Sequence, residues 1–266
     1  MNYHFYKTTA ALGVATLALS LILVGCGGGD DDVYDDEVTR TALGESAVFG
    51  SGTMQTWVRY NANNFPLEAG ATIPMSIVDT MPAGGDGPTG AIAALKFPDD
   101  MRTRSFFKTL VVHSNPQGHP GAYYLTPHYD FHFYNADVQR IRTFMPPDAA
   151  SQDSGVVLPP GYVMEPFAVP EMGTHAITHE DHELLESTQK FEKTMIQGYY
   201  DGRVEFVEPM LTQKLLQAKQ PFTLPVPRPA TFKLGAPTLY PTKFRAEFDA
   251  SSNSWQLIFS DFQSVQ

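Results

Sequence analysis

Cysteine is almost missing from this 266-residue chain, with Cys26 the only one. An internal disulfide is therefore excluded, and so is a zinc site built on CxxC pairs. Basic residues are also scarce, 18 against 29 acidic, for a formal net charge of −11. Nucleic-acid binding rests on clustered Lys and Arg that neutralise phosphates, so this balance argues against a nucleic-acid partner. Charged residues of both signs make up only 18% of the chain, fewer than the usual quarter of a globular protein. No GxxxxGK phosphate loop, GxSxG elbow or HExxH pair occurs, which leaves nucleotide hydrolysis, ordinary serine-hydrolase chemistry and zincin-type proteolysis without support. No repeat recurs at solenoid or propeller spacing.

One long uncharged run is present, AALGVATLALSLILVG, a few residues after Lys7. A positive charge followed by such a run is the design of a secretory signal. A retained transmembrane helix is the other reading, since about 20 apolar residues span a bilayer. The run ends in Leu23-Val24-Gly25-Cys26, which resembles the cleavage box of bacterial lipoproteins. That resemblance implies a diacylglycerol on the Cys26 thiol, cleavage just before it and acylation of the new terminus. A lone thiol in an exported protein has no internal partner, and lipidation gives it a use. Several acyl chains anchor stably where one would be marginal. Gly27 rather than Asp follows the cysteine, which resembles an outer-membrane address. The expected location is the bacterial cell envelope, with the membrane as partner through the lipid.

Past the cysteine, GGGDDDVYDDEVTR has nothing to bury and reads as a flexible, acidic tether. A calcium loop is the competing reading, but the evenly spaced ligands and turn glycine of an EF-hand are missing. Residues 1–25 are thus read as the leader, 26–43 as the tether and 44–266 as one β-rich globular domain. Loss of Lys7 with the leader leaves 17 basic residues against 29 acidic, a net −12.

Within the domain, 21 Gly and 21 Pro favour a loop-rich, strand-based fold over a helix bundle. Residues 53–60 and 109–113 read as strands, and 71–78 as an edge strand because of Pro74. Asp201-Gly202 between two apolar runs is a hairpin signal, and DASSNS joins a second pair of strands. Short helices are expected at 136–142, with Asn135 as cap, and at 211–216. Residues 145–173 are too rich in proline for regular structure. Trp57 and Trp255 are expected in the core. The fold class is mainly β, an antiparallel sandwich or barrel with a few short helices, with α+β as the alternative.

The segment with chemical content is TPHYDFHFY, residues 126–134. As a strand it puts His128, Asp130 and His132 on one face and Tyr129, Phe131 and Phe133 on the other, the aromatic face entering the core. As a helix, with Thr126 as cap and Pro127 in the first turn, it would pair His128 with His132 instead. In an extended strand their backbones stand about 13 Å apart, too far to share one ion without a bend, whereas His128 with Asp130, or Asp130 with His132, chelates easily.

Three segments, GHPGAYYLTPHYDFHFY, LPPGY with VPEMGTHA, and IQGYYDGRVEFVEPMLT, together resemble an uncharacterised family of bacterial exported proteins, over roughly residues 53–217. The resemblance implies that the three lie in one domain; it carries no reaction with it. If they meet, His128, Asp130, His132, His175 and Glu208 form a candidate metal set, with His119 secondary. Several His with a carboxylate suit zinc, iron, manganese or copper. A metal-free polar pocket and purely structural histidines are the alternatives, and with them a non-enzymatic ligand-binding or assembly module. His179 and His182 stand among carboxylates at a helix start and read as a solvated face. A small-molecule ligand and self-association both stay open.

Overall fold

The computed structural model describes residues 37–83, 91–145 and 155–266. The leader, Cys26, the tether up to residue 36, most of MPAGGDGPTG and residues 146–154 lie outside the described residues. Two antiparallel sheets form the body of the described chain. One contains β1 (Arg40–Phe49), β2 (Gly52–Tyr60), β3 (Pro66–Pro74), β11 (Phe222–Pro225), β12 (Thr238–Asp249) and β13 (Ser254–Val265), in the order β1-β2-β3-β13-β12-β11. The other contains β4 (Ile92–Lys96), β5 (Thr109–Asn115), β6 (His128–Tyr134), β7 (Tyr162–Val169), β8 (Gly173–Thr178), β9 (Lys193–Tyr200) and β10 (Arg203–Thr212), in the order β4-β5-β6-β10-β9-β8-β7. Five short helices accompany them: α1 (Met75–Thr80), α2 (Asp99–Arg104), α3 (Val138–Ile141), α4 (His179–Leu184) and α5 (Gln213–Gln217). The mainly β expectation, with few short helices, is met.

The two sheets face each other through aromatic rings. Phe133 of β6 meets Phe259 of β13 with ring centroids 4.8 Å apart, and Phe107 stands 5.0 Å from Phe259 and 5.2 Å from Phe133. Edge-to-face aromatic pairs of this kind add about 0.5–1.5 kcal/mol each beyond the area they bury. Trp57 and Trp255 are both buried, and the Trp255 indole N–H donates to the Leu216 carbonyl at 2.9 Å.

Hairpin chemistry is as the sequence implies. Asp201 and Gly202 take φ of 55° and 71°, the left-handed pair that lets a two-residue loop follow the twist of its strands. At DASSNS the Asp249 carboxylate accepts from the Ser251 N–H and the Ser252 hydroxyl, closing the β12–β13 turn.

Five expectations need correction. Residues 40–43, read as tether, open β1, where Arg40 faces Tyr60 in register. Residues 71–78 are not an edge strand: β3 lies between β2 and β13, and Pro74 ends it as the residue before α1, where a missing N–H is harmless. The helix expected at 136–142 shortens to 138–141, and its cap is Asp137, which accepts from the Arg140 N–H at 3.1 Å; Asn135 instead accepts from Lys108. The helix at 211–216 moves to 213–217, because Leu211 and Thr212 complete β10 and the Thr212 hydroxyl caps α5 at the Leu215 N–H. Part of the proline-rich segment is regular after all. β7 is an edge strand whose pairing with β8 breaks between Met164 and Ala168, so Pro166 sits where no ladder N–H is required.

Candidate metal centre

The site grows from the alternation of β6. All seven of its residues are buried, yet its two faces have different neighbours. Tyr129, Phe131 and Phe133 enter the core between the sheets, and the Tyr129 hydroxyl donates to the Ile77 carbonyl at 2.8 Å. His128, Asp130 and His132 point to the outer face. There β5 and β10 flank β6, placing His113 and Met210 in register with Asp130. Glu208 shares that face of β10. His175 arrives from β8, in register with Gly198 of β9, and the missing side chain at Gly198 gives the Phe206 ring its seat.

The loop from β5 to β6 brings the sixth candidate. Gly118, at φ 74°, turns the chain against the Tyr124 backbone, and His119 follows at the cavity rim. Tyr124 and Phe191 close the side behind His119 and His128, with centroids 5.3 Å and 5.1 Å from those rings. The cavity in front holds about 360 Å³. Its polar wall includes His113, His119, Asp130, His132, His175 and Glu208, and its apolar wall includes Ile92, Phe167, Met172 and Ile177.

The candidates sort into two groups. In one, His132 Nε2 lies 3.4 Å from Glu208 Oε1 and His175 Nε2 lies 3.9 Å from Glu208 Oε2, with all three ligand atoms within 4.8 Å of one another. Ligands bound tetrahedrally at about 2.0–2.1 Å stand about 3.4 Å apart, so little movement would close this set on an ion. The other group is His119, His128 and Asp130. The division follows the strand spacing, which keeps His128 and His132 from a common ion.

Burial decides the charge of these groups. Glu208 is 2% exposed, and its carboxyl is pushed well above the usual range by burial, then by the nearby charges of Asp130 and Glu165. Burial holds the His132 imidazole well below its ordinary value and lowers His175 to about 4. Burial therefore favours the neutral form of both Glu208 and His132, and their approach is not an ordinary ion pair. Nor are they hydrogen-bonded: His132 Nε2 and Glu208 Oε2 have no hydrogen-bond partner among the described residues. Buried polar atoms left without a partner are costly and uncommon. Phe206 holds the two imidazoles apart, its centroid 4.9 Å from that of His132 and 5.4 Å from that of His175.

Sequence reasoning missed three residues of the cavity wall. His113 packs on His132 with centroids 5.0 Å apart. Its parity with Val111 in the strand at 109–113 carried the signal, but nothing in the sequence says which face of that strand meets β6. Asn115 donates from Nδ2 to Asp130 Oδ2 at 2.7 Å. Glu165 lies in the β7 irregularity, and burial pushes its carboxyl up to about 7. His179 and His182 are exposed on α4, away from the cavity lining.

Two His and one carboxylate, converging in a dry corner beside a cavity, are a donor set for zinc or iron(II), with positions left for water or a small ligand. Buried His/Asp/Glu groups able to hold a metal ion are thus present. No family model, curated protein or solved structure matches the chain.

Proposed function

We propose that this chain is a lipid-anchored protein of the bacterial cell envelope whose outer-face pocket binds a divalent transition metal through His132, His175 and Glu208. The observation that carries the reading is the pair of buried, unbonded atoms, His132 Nε2 and Glu208 Oε2, converging with His175 on one point. A dry corner of polar atoms without hydrogen-bond partners is unfavourable by itself, and it becomes favourable around a cation once Glu208 gives up its proton. Three protein ligands leave coordination positions facing the cavity, which suits capture or activation of a small molecule better than a closed structural site does. The lipid anchor is the use we assign to Cys26, and the −12 charge after removal of the leader supports a cation rather than an anion as the captured species.

Elemental analysis of the full chain, purified in detergent from cells supplied with zinc, iron, manganese and copper, tests the metal. His175→Ala or Glu208→Gln is expected to lower the content by about one ion per chain, and His179→Ala to leave it unchanged. Equal content in all three, or no metal in the parent, refutes the reading. Cys26→Ser is expected to abolish lipid labelling and move the protein from the detergent phase to the aqueous one; a variant that still partitions with detergent points to a retained helix as the anchor.

A further inference from the structure

We infer that the cavity carries a second, separate cation site formed by His119, His128 and Asp130, which makes the pocket a two-ion centre. The inference shares with the proposed function the premise that the pocket takes cations, but it stands on different residues and different atoms.

The argument starts from one ring. His128 Nδ1 lies 2.7 Å from the Thr126 carbonyl oxygen, and a carbonyl only accepts, so Nδ1 carries the hydrogen and donates. Pro127 holds Thr126 extended and so helps aim that carbonyl. In the neutral ring, Nε2 is then a lone pair. It faces Asp130 Oδ1 at 3.2 Å, another acceptor, and neither atom has a hydrogen-bond partner among the described residues. His128 is fully buried, Asp130 is 5% exposed, and the two facing atoms are themselves covered by protein. The carboxylate is fixed from its other side, where Asn115 donates to Oδ2 at 2.7 Å.

Something positive must stand near these two atoms, and there are two ways to supply it. A proton on Nε2 would make a buried imidazolium–carboxylate pair. The geometry does not favour that: at 3.2 Å the two atoms are close, but neither makes a well-formed hydrogen bond to the other. A metal ion placed beside both atoms meets each lone pair without requiring them to point at one another. The third member decides between the two. His119 stands edge-on to His128, centroids 4.7 Å apart at 82°. Its Nδ1 lies 3.4 Å from the Pro120 carbonyl, which again makes Nδ1 the donor and leaves Nε2 with a lone pair. One ligand atom from each of His119, His128 and Asp130 falls within a 4.8 Å cluster. A proton shared by His128 and Asp130 gives His119 nothing to do there, whereas a cation takes all three. Second hydrogen bonds that fix the tautomer of ligating histidines, as Thr126 does here, are the usual support of a metal site.

The two sites stay distinct. His128 and His132 lie four strand steps of about 3.3 Å apart, so one ion with bonds of about 2 Å cannot take both. Asp130 turns Oδ1 to His128 and has Oδ2 held by Asn115, which fixes the carboxylate in the second group. Each site therefore has two imidazoles and one carboxylate, with zinc or iron(II) as the matching cation class.

The test is zinc stoichiometry, with zinc alone as the probe. The full chain in detergent, stripped with a chelator, is dialysed against zinc at neutral pH and analysed by mass spectrometry of the elements. The parent is expected to bind two ions, Asp130→Asn and His128→Gln one, Glu208→Gln one, and Asp130→Asn with Glu208→Gln none. Because Asp130 and His128 are buried and their variants could misfold, His119→Ala at the half-buried rim is the second measurement. It is expected to weaken one of the two ions by at least tenfold in chelator competition and to leave thermal unfolding of the stripped protein unchanged. One ion in the parent, kept by Asp130→Asn and lost by Glu208→Gln, overturns this inference and leaves the first site standing. Two ions in the parent with one lost in Asp130→Asn and none in Glu208→Gln does the reverse. No zinc in the parent overturns both.

Discussion

Gly198→Ala is the sharpest test of how this pocket is built. A Cβ at residue 198 would lie 1.9 Å from Phe206 Cε1, 2.1 Å from Cζ and 2.3 Å from Cδ1. Ordinary carbon contacts begin near 3.5 Å, so the ring has to retreat by about 1.5 Å. It has little room, being fully buried and packed on His132, on His175 and, with centroids 4.9 Å apart, on Tyr134. Overpacking of this kind costs about 1–3 kcal/mol. With an m-value of about 3 kcal/mol/M, the urea midpoint of the metal-free protein falls by about 0.3–1 M. The displaced ring also pushes on the two imidazoles, and loss of ligand orientation weakens metal binding by about 10–100-fold. Urea unfolding followed through Trp57 and Trp255, together with chelator competition for zinc, reads both effects. Phe206→Leu in the same chain should recover part of the stability, because a smaller side chain vacates the space the new methyl needs. An unchanged midpoint would refute the seat of Phe206 over Gly198. A lowered midpoint with unchanged zinc affinity would refute the claim that Phe206 positions His132 and His175.

Three further outcomes are expected. Because burial raises the Glu208 carboxyl well above its usual range while His132 is held neutral, zinc binding at pH 7 should release about one proton, taken from Glu208; calorimetry in two buffers of different ionisation heat measures it, and no release contradicts the assignment. His175, lowered to about 4 from an ordinary value near 6.5, binds protons more readily when unfolded, so the metal-free protein loses up to about 3 kcal/mol of stability from this residue as pH falls from 6.5 to 4; His175→Asn should flatten the acid limb of a stability–pH curve, and an unaltered limb would count against burial as the cause. Arg140→Ala removes the guanidinium that donates to buried Glu205, whose carboxyl burial already raises to about 7, and with Arg203 3.8 Å away as partial replacement the loss is expected at about 1–3 kcal/mol by denaturant unfolding; no loss would mean that Glu205 is satisfied without Arg140.

Much of the candidate site was legible in the sequence because strand parity is a local rule. Once TPHYDFHFY is extended, the faces taken by His128, Asp130 and His132 follow from a period of two, and the 13 Å check already separates His128 from His132. Strand was the correct choice over helix. Its aromatic residues find a pleated surface to fill, and Thr126 and Pro127 stand before the element rather than inside a first helical turn. His113 was not legible, since its role depends on β5 pairing with β6 across a loop whose length does not dictate register. Glu165 was hidden for a different reason. A proline-rich edge strand with a break in its ladder looks irregular from sequence, which hides the alternation that puts Glu165, Phe167 and Val169 on the cavity side. The helix ends moved because caps are chosen by geometry: Asp137 and Thr212 reach an N–H that Asn135 and the residues before Leu211 do not. The leader and Cys26 lie outside the described residues, so the anchor rests on the lipoprotein-like box alone.

β6 ties the core and the pocket to one reading frame. Its odd-numbered rings hold the two sheets together, while its even-numbered side chains take the opposite face, where Asp130 and His132 line the cavity. Gaining or losing a single residue within this strand would send the imidazoles inward and the phenyl rings outward in the same event. The two properties therefore cannot be lost one at a time by sliding. Variation in β6 is confined to replacement in place, and a descendant that gives up its ligands can keep the fold only by substituting them one by one with side chains that tolerate a dry outer face.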